Sequence, residues 1–251
     1  MPVISTEAIV LQTFAYGDTS RILRLLTATH GLQSAIARGA RRPRSQYGGL
    51  LEAFSRGTAT LHIRENRDLQ TLSGFDLSHS GQALGRDLMR FGGAALLSEV
   101  VLRATREEPQ PGLFDLVADS LDRLERVEAA EAEAMALGRV WRLVALLGFA
   151  PELDACVPCG RTVQGDEIRF DYAAGGVRCD DCSRGAPGRT VPANAIDAIR
   201  TMIAGRDVAL AETRGHWWLL TRWLDHHVLE GATLQSLEFI AAARDDASCD
   251  N

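Results

Sequence analysis

Two cysteine pairs carry the sharpest chemistry in this chain. Cys156 and Cys159 form C-V-P-C, nineteen residues intervene, and Cys179 and Cys182 form C-D-D-C. A thiol pair spaced this way makes a chelating turn, and two such turns can converge on one tetrahedral zinc ion. Redox thiol pairs and an iron–sulfur cluster would draw on the same residues. Four thiolates leave no open coordination position, so zinc here would be structural rather than a source of activated water. Gly160, directly after the second cysteine, gives the backbone freedom to aim amides at thiolate sulfur. Residues 151–189 carry seven acidic residues against five Arg. A four-thiolate zinc site would add a formal charge of about −2. The segment is therefore expected to staple a loop excursion rather than grip phosphate.

A second constellation is electrostatic. The stretch Ile36–Gly49, IARGARRPRSQYGG, concentrates Arg38, Arg41, Arg42 and Arg44 with Tyr47, and no carboxylate stands between Asp18 and Glu52. Yet the whole chain has a net charge of −6. The imbalance is regional: residues 1–80 hold nine Arg against six acidic residues, and the remainder is acidic. A basic first third suggests that this part alone meets a polyanion.

All 27 cations are Arg. Without Lys there can be no phosphate loop of the G-x-x-x-x-G-K-[ST] type, no lysine Schiff base and no adenylated lysine. Neither H-E-x-x-H nor G-x-S-x-G occurs. No run of eighteen apolar residues and no signal-peptide start are present, so a cytoplasmic protein with no membrane role is expected.

The elements that must position these residues change character along the chain. Ala8–Phe14, Arg21–Leu26, Leu32–Ala37, Ala59–Arg64 and Leu69–Phe75 read as five strands broken by the turns AYGDTS, THG and ENRD. Five strands suit a small closed barrel better than a sandwich of about seven. After Ser80 the period becomes helical, with one apolar face through Leu84–Leu102, another through Leu113–Val127 and a third over Met135–Leu147, and EEPQPG as a breaker. A non-helical interlude runs from Pro151 to about Arg189. Helices then resume through Ile196–Ile203 and HWWLLTRWLDHHVLE, and the tail ARDDASCDN is expected to be disordered. His226 and His227 face about 100° apart on a helix. They read as interface or surface residues rather than a chelating pair. Cys249 reads as incidental.

The expected architecture is thus α+β and multidomain. Residues 1–80 read as a small closed barrel, 81–150 with 190–251 as helical, and 151–189 as an inserted four-cysteine module. A basic loop between strands three and four of such a barrel is a single-strand-binding platform. Arg38, Arg41, Arg42 and Arg44 would pair with phosphates, Tyr47 would stack on bases, and Phe54 is better suited to packing. Arg56, Arg64 and Arg67 either extend the groove or stay solvated.

Across nearly its whole length, the chain resembles the RecO family of bacterial recombination mediators. The resemblance rests on TEAIVLQTFAYGDTSRILRLLTATHG, IARGARRPRSQYGGLLEAF, GFAPELDACVPCG, the paired CDDC, and RWLDHHVLEGATLQSLEFI. It implies that residues 1–80 are an OB-fold DNA-binding domain, 81–150 with 190–251 a helical domain and 151–189 a zinc-binding module, in a non-enzymatic protein that binds single- and double-stranded DNA and anneals complementary strands. It also implies partnership with RecR and single-stranded-DNA-binding protein, so that RecA is loaded during DNA repair. Relatives often mix Lys and Arg in the basic loop; Arg alone preserves phosphate binding. A metal-dependent nuclease is the alternative, and it would need clustered carboxylates with open metal positions. The acidic pairs at 180–181 and 245–246 are weak candidates.

Overall fold

The computed structural model describes residues 2–64, 67–105, 107–229 and 231–249. Five strands close a barrel in the order β1-β2-β3-β5-β4. They are β1 Val3–Tyr16, β2 Ser20–Thr27, β3 Gly31–Ala37, β4 Arg56–His62 and β5 Leu69–His79. All neighbours run antiparallel except β3 and β5, which are parallel, with Ile36 beside Thr71. That order and the parallel closure make this an OB-type barrel, as expected.

The apolar run AIVL in β1 explains how the barrel joins the rest. Successive strand residues point to opposite faces. Ala8 and Val10 enter the barrel interior with Leu23, Leu25, Leu61 and Leu72. Ile9 and Leu11 point outward into the helical core beside Leu26, Leu32 and Phe54. The strand is apolar without alternation because both of its faces are covered. Four alanines, Ala8, Ala35, Ala37 and Ala59, are fully buried inside. A five-stranded barrel has little interior, and small residues keep it closed.

Helix α1 Leu88–Ala104 packs over that outer face at β1, and α2 Leu113–Arg126 and α3 Ala132–Leu146 pack against α1. The sequence F-G-G-A-A in α1 lets its neighbours approach closely. A Cβ on Gly92 would stand 2.8 Å from Ile240, and one on Gly93 2.7 Å from Ala136. Beyond α3, strands β6 Glu167–Asp171, β7 Gly176–Arg178 and β8 Arg189–Pro192 form a sheet of order β7-β6-β8 with the short helix α4 Asp180–Ser183. Helices α5 Ala193–Ile203, α6 Arg214–His227 and α7 Gln235–Cys249 complete the chain. None of the described helices is long and apolar enough to cross a membrane.

One expectation needs correction. The tail does not leave helical structure at Ala243, because α7 continues to Cys249. Its first turns are anchored by Ile240, which is buried against the core, and that nucleus lets the polar end propagate. The stretch after Pro151 is largely non-helical, as expected, but it holds a small sheet and the four-residue helix α4. Glu65 and Asn66 of the ENRD turn, Glu230, Asp250 and Asn251 lie outside the described residues.

Candidate nucleic-acid interface and metal centre

On the barrel, three connections meet around a groove of about 800 Å³. The β1–β2 turn contributes Tyr16 and Thr19, the end of β3 and the following loop contribute Arg38, Gly39 and Arg42, and the β4–β5 turn contributes Arg67 and Asp68. The basic loop is held to the β1–β2 turn by its own backbone. Arg41 N–H donates to the Thr19 carbonyl at 2.8 Å, and Arg41 Nη1 donates to the Gly17 carbonyl at 3.1 Å. Arg41 therefore braces the loop while Arg38 and Arg42 face the groove. Arg44 is exposed on the same loop, outside the groove lining.

Tyr47 is not available for stacking. Its residue is only 4 % exposed, and its hydroxyl donates to the Leu72 carbonyl at 2.9 Å. The loop turns inward there because an aromatic ring plugging the barrel beside Leu51 buries more apolar surface than an exposed one. Phe54 is buried as expected, and it packs edge-on against Phe91. Arg56 is likewise drawn away: it pairs with Asp122 on α2, and His79 Nε2 lies 2.7 Å from Glu125 Oε2 one turn further along. These contacts clamp the barrel to the helices. Arg64 is exposed at the start of the β4–β5 turn, and its backbone N–H donates to Gln70 Oε1 at 2.8 Å.

The exposed aromatic side chains at this end of the barrel are instead Tyr16 and Phe14, 53 % and 46 % exposed. Both project from one face of β1, where Phe14 stands beside Ile22, and Ile22 beside Ile36. The signal that could have found them is the aromatic pair at i and i+2 leading directly into the turn between strands one and two, a binding connection in OB barrels. Tyr16 lines the groove together with Arg38, Arg42 and Arg67, and an exposed ring among cations can stack a base while they pair phosphates.

At the cysteine module, all four Sγ atoms lie within 4.8 Å of one another, and Cys159 and Cys179 are 3.7 Å apart. Zinc–sulfur bonds of about 2.3 Å in a tetrahedron require sulfur pairs about 3.8 Å apart, so the donor set fits. Gly160 adopts φ 72°, the left-handed region that a glycine enters without strain. Its N–H closes the turn on the Cys156 carbonyl at 2.8 Å rather than reaching sulfur. The amide that does reach sulfur is Arg161's. That N–H, with the Arg161 guanidinium, holds the Cys159 thiol down at about 6. Cys182, hydrogen-bonded by Cys159 and Cys179, is pushed up to about 12. The module is tied to its surroundings by Val157 N–H to the Val177 carbonyl and by Arg200 to the Leu153 carbonyl. The buried Asp171 carboxylate holds Arg178 at 2.6 Å.

His227 Nε2 meets the Tyr172 carbonyl at 2.6 Å, while His226 is exposed, so the two rings are an interface and a surface group. A second cluster of potential ligands, His79, Asp122 and Glu125, lies at the barrel–helix clamp rather than in the groove.

Family models for the N-terminal and the C-terminal domain of recombination protein O match residues 1–80 and 85–238. The chain belongs to the RecO family. It is 34 % identical over 249 residues to the DNA repair protein RecO of Anaeromyxobacter dehalogenans (strain 2CP-C), covering 94 % of this chain and 95 % of that protein. The corresponding protein of Myxococcus xanthus (strain DK1622) is 34 % identical over 245 residues, covering 94 % and 96 %. That of Rubrobacter xylanophilus is 34 % identical over 234 residues, covering 92 % and 93 %.

Proposed function

We propose that this protein is a non-enzymatic DNA repair and recombination mediator. It binds single- and double-stranded DNA, anneals complementary strands and, with RecR and single-stranded-DNA-binding protein, helps load RecA in the bacterial cytoplasm. The observation that carries the reading is the barrel groove, where Arg38, Arg42 and Arg67 surround Tyr16. Arg41, Arg44 and Arg64 would add phosphate contacts at its rim. Neutralising phosphates on two strands is a physical basis for annealing, because duplex formation is opposed by their repulsion. Such a function needs no nucleotide hydrolysis, in keeping with a chain that lacks the phosphate-loop lysine.

Cys156, Cys159, Cys179 and Cys182 would hold one zinc ion, which when bound closes the module as a structural crosslink. The residues around it maintain the knuckle turn and its attachment to β7 and α5. Within the described residues, the carboxylates nearest to a nuclease constellation are those of the His79, Asp122 and Glu125 cluster. Arg56 occupies Asp122 there, and the cluster does not line the groove.

The decisive experiment is the triple variant R38A/R42A/R67A. Its affinity for single- and double-stranded DNA should fall with little dependence on sequence. The slope of log affinity against log salt for single strands should shrink by about 2, from about 0.7 per lost contact. An unchanged slope in a folded variant refutes the groove as the DNA contact, and magnesium-dependent cleavage by the pure protein would revive the nuclease.

A further inference from the structure

Far along the chain from the basic loop, at the seam between the cysteine module and α6, a second group of side chains combines rings with unneutralised charge. Trp218 is half-buried on α6. The Arg189 guanidinium, from β8, lies 4.9 Å from its ring centre, and that of Arg222, one turn along α6, lies 6.0 Å away. Tyr172 stands edge-on to Trp218 at 6.3 Å and to the exposed ring of His226 at 5.7 Å. Arg189 has no ion-pair partner among the described residues, and Arg222 has only Asp225, at 4.0 Å.

Within the cysteine module, Arg161 pairs with Asp181 at 3.1 Å and Arg178 with Asp171 at 2.6 Å. Their charge is consumed internally. Arg189 and Arg222 instead lie over the Trp218 ring, within cation–π range, and both are exposed to solvent. Nothing in the packing of α6 requires them there, since the helix is anchored by the buried Trp217, Trp223 and Leu220.

We propose that Trp218, Arg189 and Arg222 form a second single-strand contact that receives the incoming strand during annealing, its phosphates on the two arginines and its bases against the guanidinium planes and the Tyr172 and His226 rings. Bases stack on arginine planes as readily as on aromatic rings, and the combination tolerates any sequence. An acidic polypeptide would use the two cations but leave the three rings without a purpose, so the ring cluster favours nucleic acid. The inference rests on the reading of the protein as an annealing factor, and it separates two jobs: the barrel groove holds the first strand, and this seam meets the second.

Intrinsic fluorescence isolates the site, because Trp141, Trp217 and Trp223 are buried and Trp218 alone of the four tryptophans is half-exposed. Titration of the full chain with oligothymidylate should quench its emission, and W218F should abolish the quench. R189A/R222A should bind a first strand as the parent does. Its affinity for a second strand, added to the preformed complex, should fall about tenfold, with a salt slope shallower by about 1.4 for two lost phosphates. D225N, which frees Arg222, should raise that second affinity. Emission indifferent to oligothymidylate, or an R189A/R222A protein that captures the second strand normally, overturns the proposal. Quenching by polyglutamate but not by oligothymidylate overturns it in favour of an acidic polypeptide. Loss of first-strand binding in R38A/R42A/R67A with the Trp218 quench retained supports both readings. Undiminished first-strand binding in that variant defeats the groove alone and leaves the seam standing.

Discussion

The cysteine module draws all its donors from two short turns, whereas the barrel groove collects Tyr16, Arg38, Arg42 and Arg67 from three separate connections. In the module, residue type and local spacing suffice. Two C-x-x-C pairs have few geometries open to them, and backbone bonds such as Val157 N–H to the Val177 carbonyl bring the two turns together. In the groove, residue type says little by itself. An exposed arginine in a loop looks the same whether it faces a ligand or braces a turn, and only the barrel topology decides. Local motifs therefore reveal a site when the ligand set is covalent in character, and they mislead when the site is a surface made by distant segments.

The largest effect that sharpens this contrast is expected at Cys156, the buried member of the quartet. Cys156→Ala should leave the protein without stoichiometric zinc and lower Tm by about 10 °C, because closure of the module through metal is a folding contribution. DNA affinity of the folded fraction should not change, since the groove lies on the barrel. Elemental analysis with calorimetry checks both halves. A variant that keeps its Tm, or a parent containing iron in place of zinc, breaks the assignment.

What could be read from residues alone follows the same line. The barrel was legible because AIVLQTF and the following runs alternate or are doubly buried at strand length. The helical region was legible because Leu113, Val117, Leu121 and Leu124 recur at helical spacing and do line one buried face. Tyr47 was misleading because it follows four arginines and looks like part of their surface. Its destination depends on a hydrogen bond to Leu72, 25 residues away. Arg56 was misleading for the same reason, since its partner Asp122 is 66 residues distant. Tyr16 and Phe14 went unread because they close a strand whose central residues Ala8–Leu11 are core, and nothing local says that the strand end emerges into solvent.

Tyr47 and Tyr16 can be used as a pair to test that account. Tyr47→Ala should destabilise the barrel by about 3 kcal/mol, in the range for truncating a buried aromatic. Tyr47→Phe should cost only about 1 kcal/mol for the lost hydrogen bond. Chemical denaturation measures both, and the Phe variant should bind DNA as the parent does. Tyr16→Ala should show the opposite pattern: unchanged stability, with single-strand affinity lower by about 1–3 kcal/mol from one lost stacking partner. Weakened DNA binding in Tyr47→Phe would reverse the roles assigned to the two rings.

The smallest effect concerns a group outside both regions, and its sign can be worked out. His216 on α6 is buried, with its Nδ1 unpartnered among the described residues. Burial lowers its pKa from the ordinary 6.5, partly opposed by the nearby Glu212 carboxylate. The unfolded chain therefore binds a proton at His216 more readily than the folded chain does. Stability from this group is fully present above about pH 6.5 and is lost as pH falls toward the lowered folded value. Protonation would place a charge on a ring that is only 8 % exposed and poorly solvated. The parent should thus lose stability on acidification from neutral pH more steeply than His216→Gln, whose side chain does not titrate. Paired urea melts across that range isolate the difference, because every other carboxylate and histidine is common to both proteins. Parallel curves for the two would mean that the imidazole finds a partner that relieves its burial. The groove beside it, lined by Glu212 and Asp207, is where such a partner would have to enter.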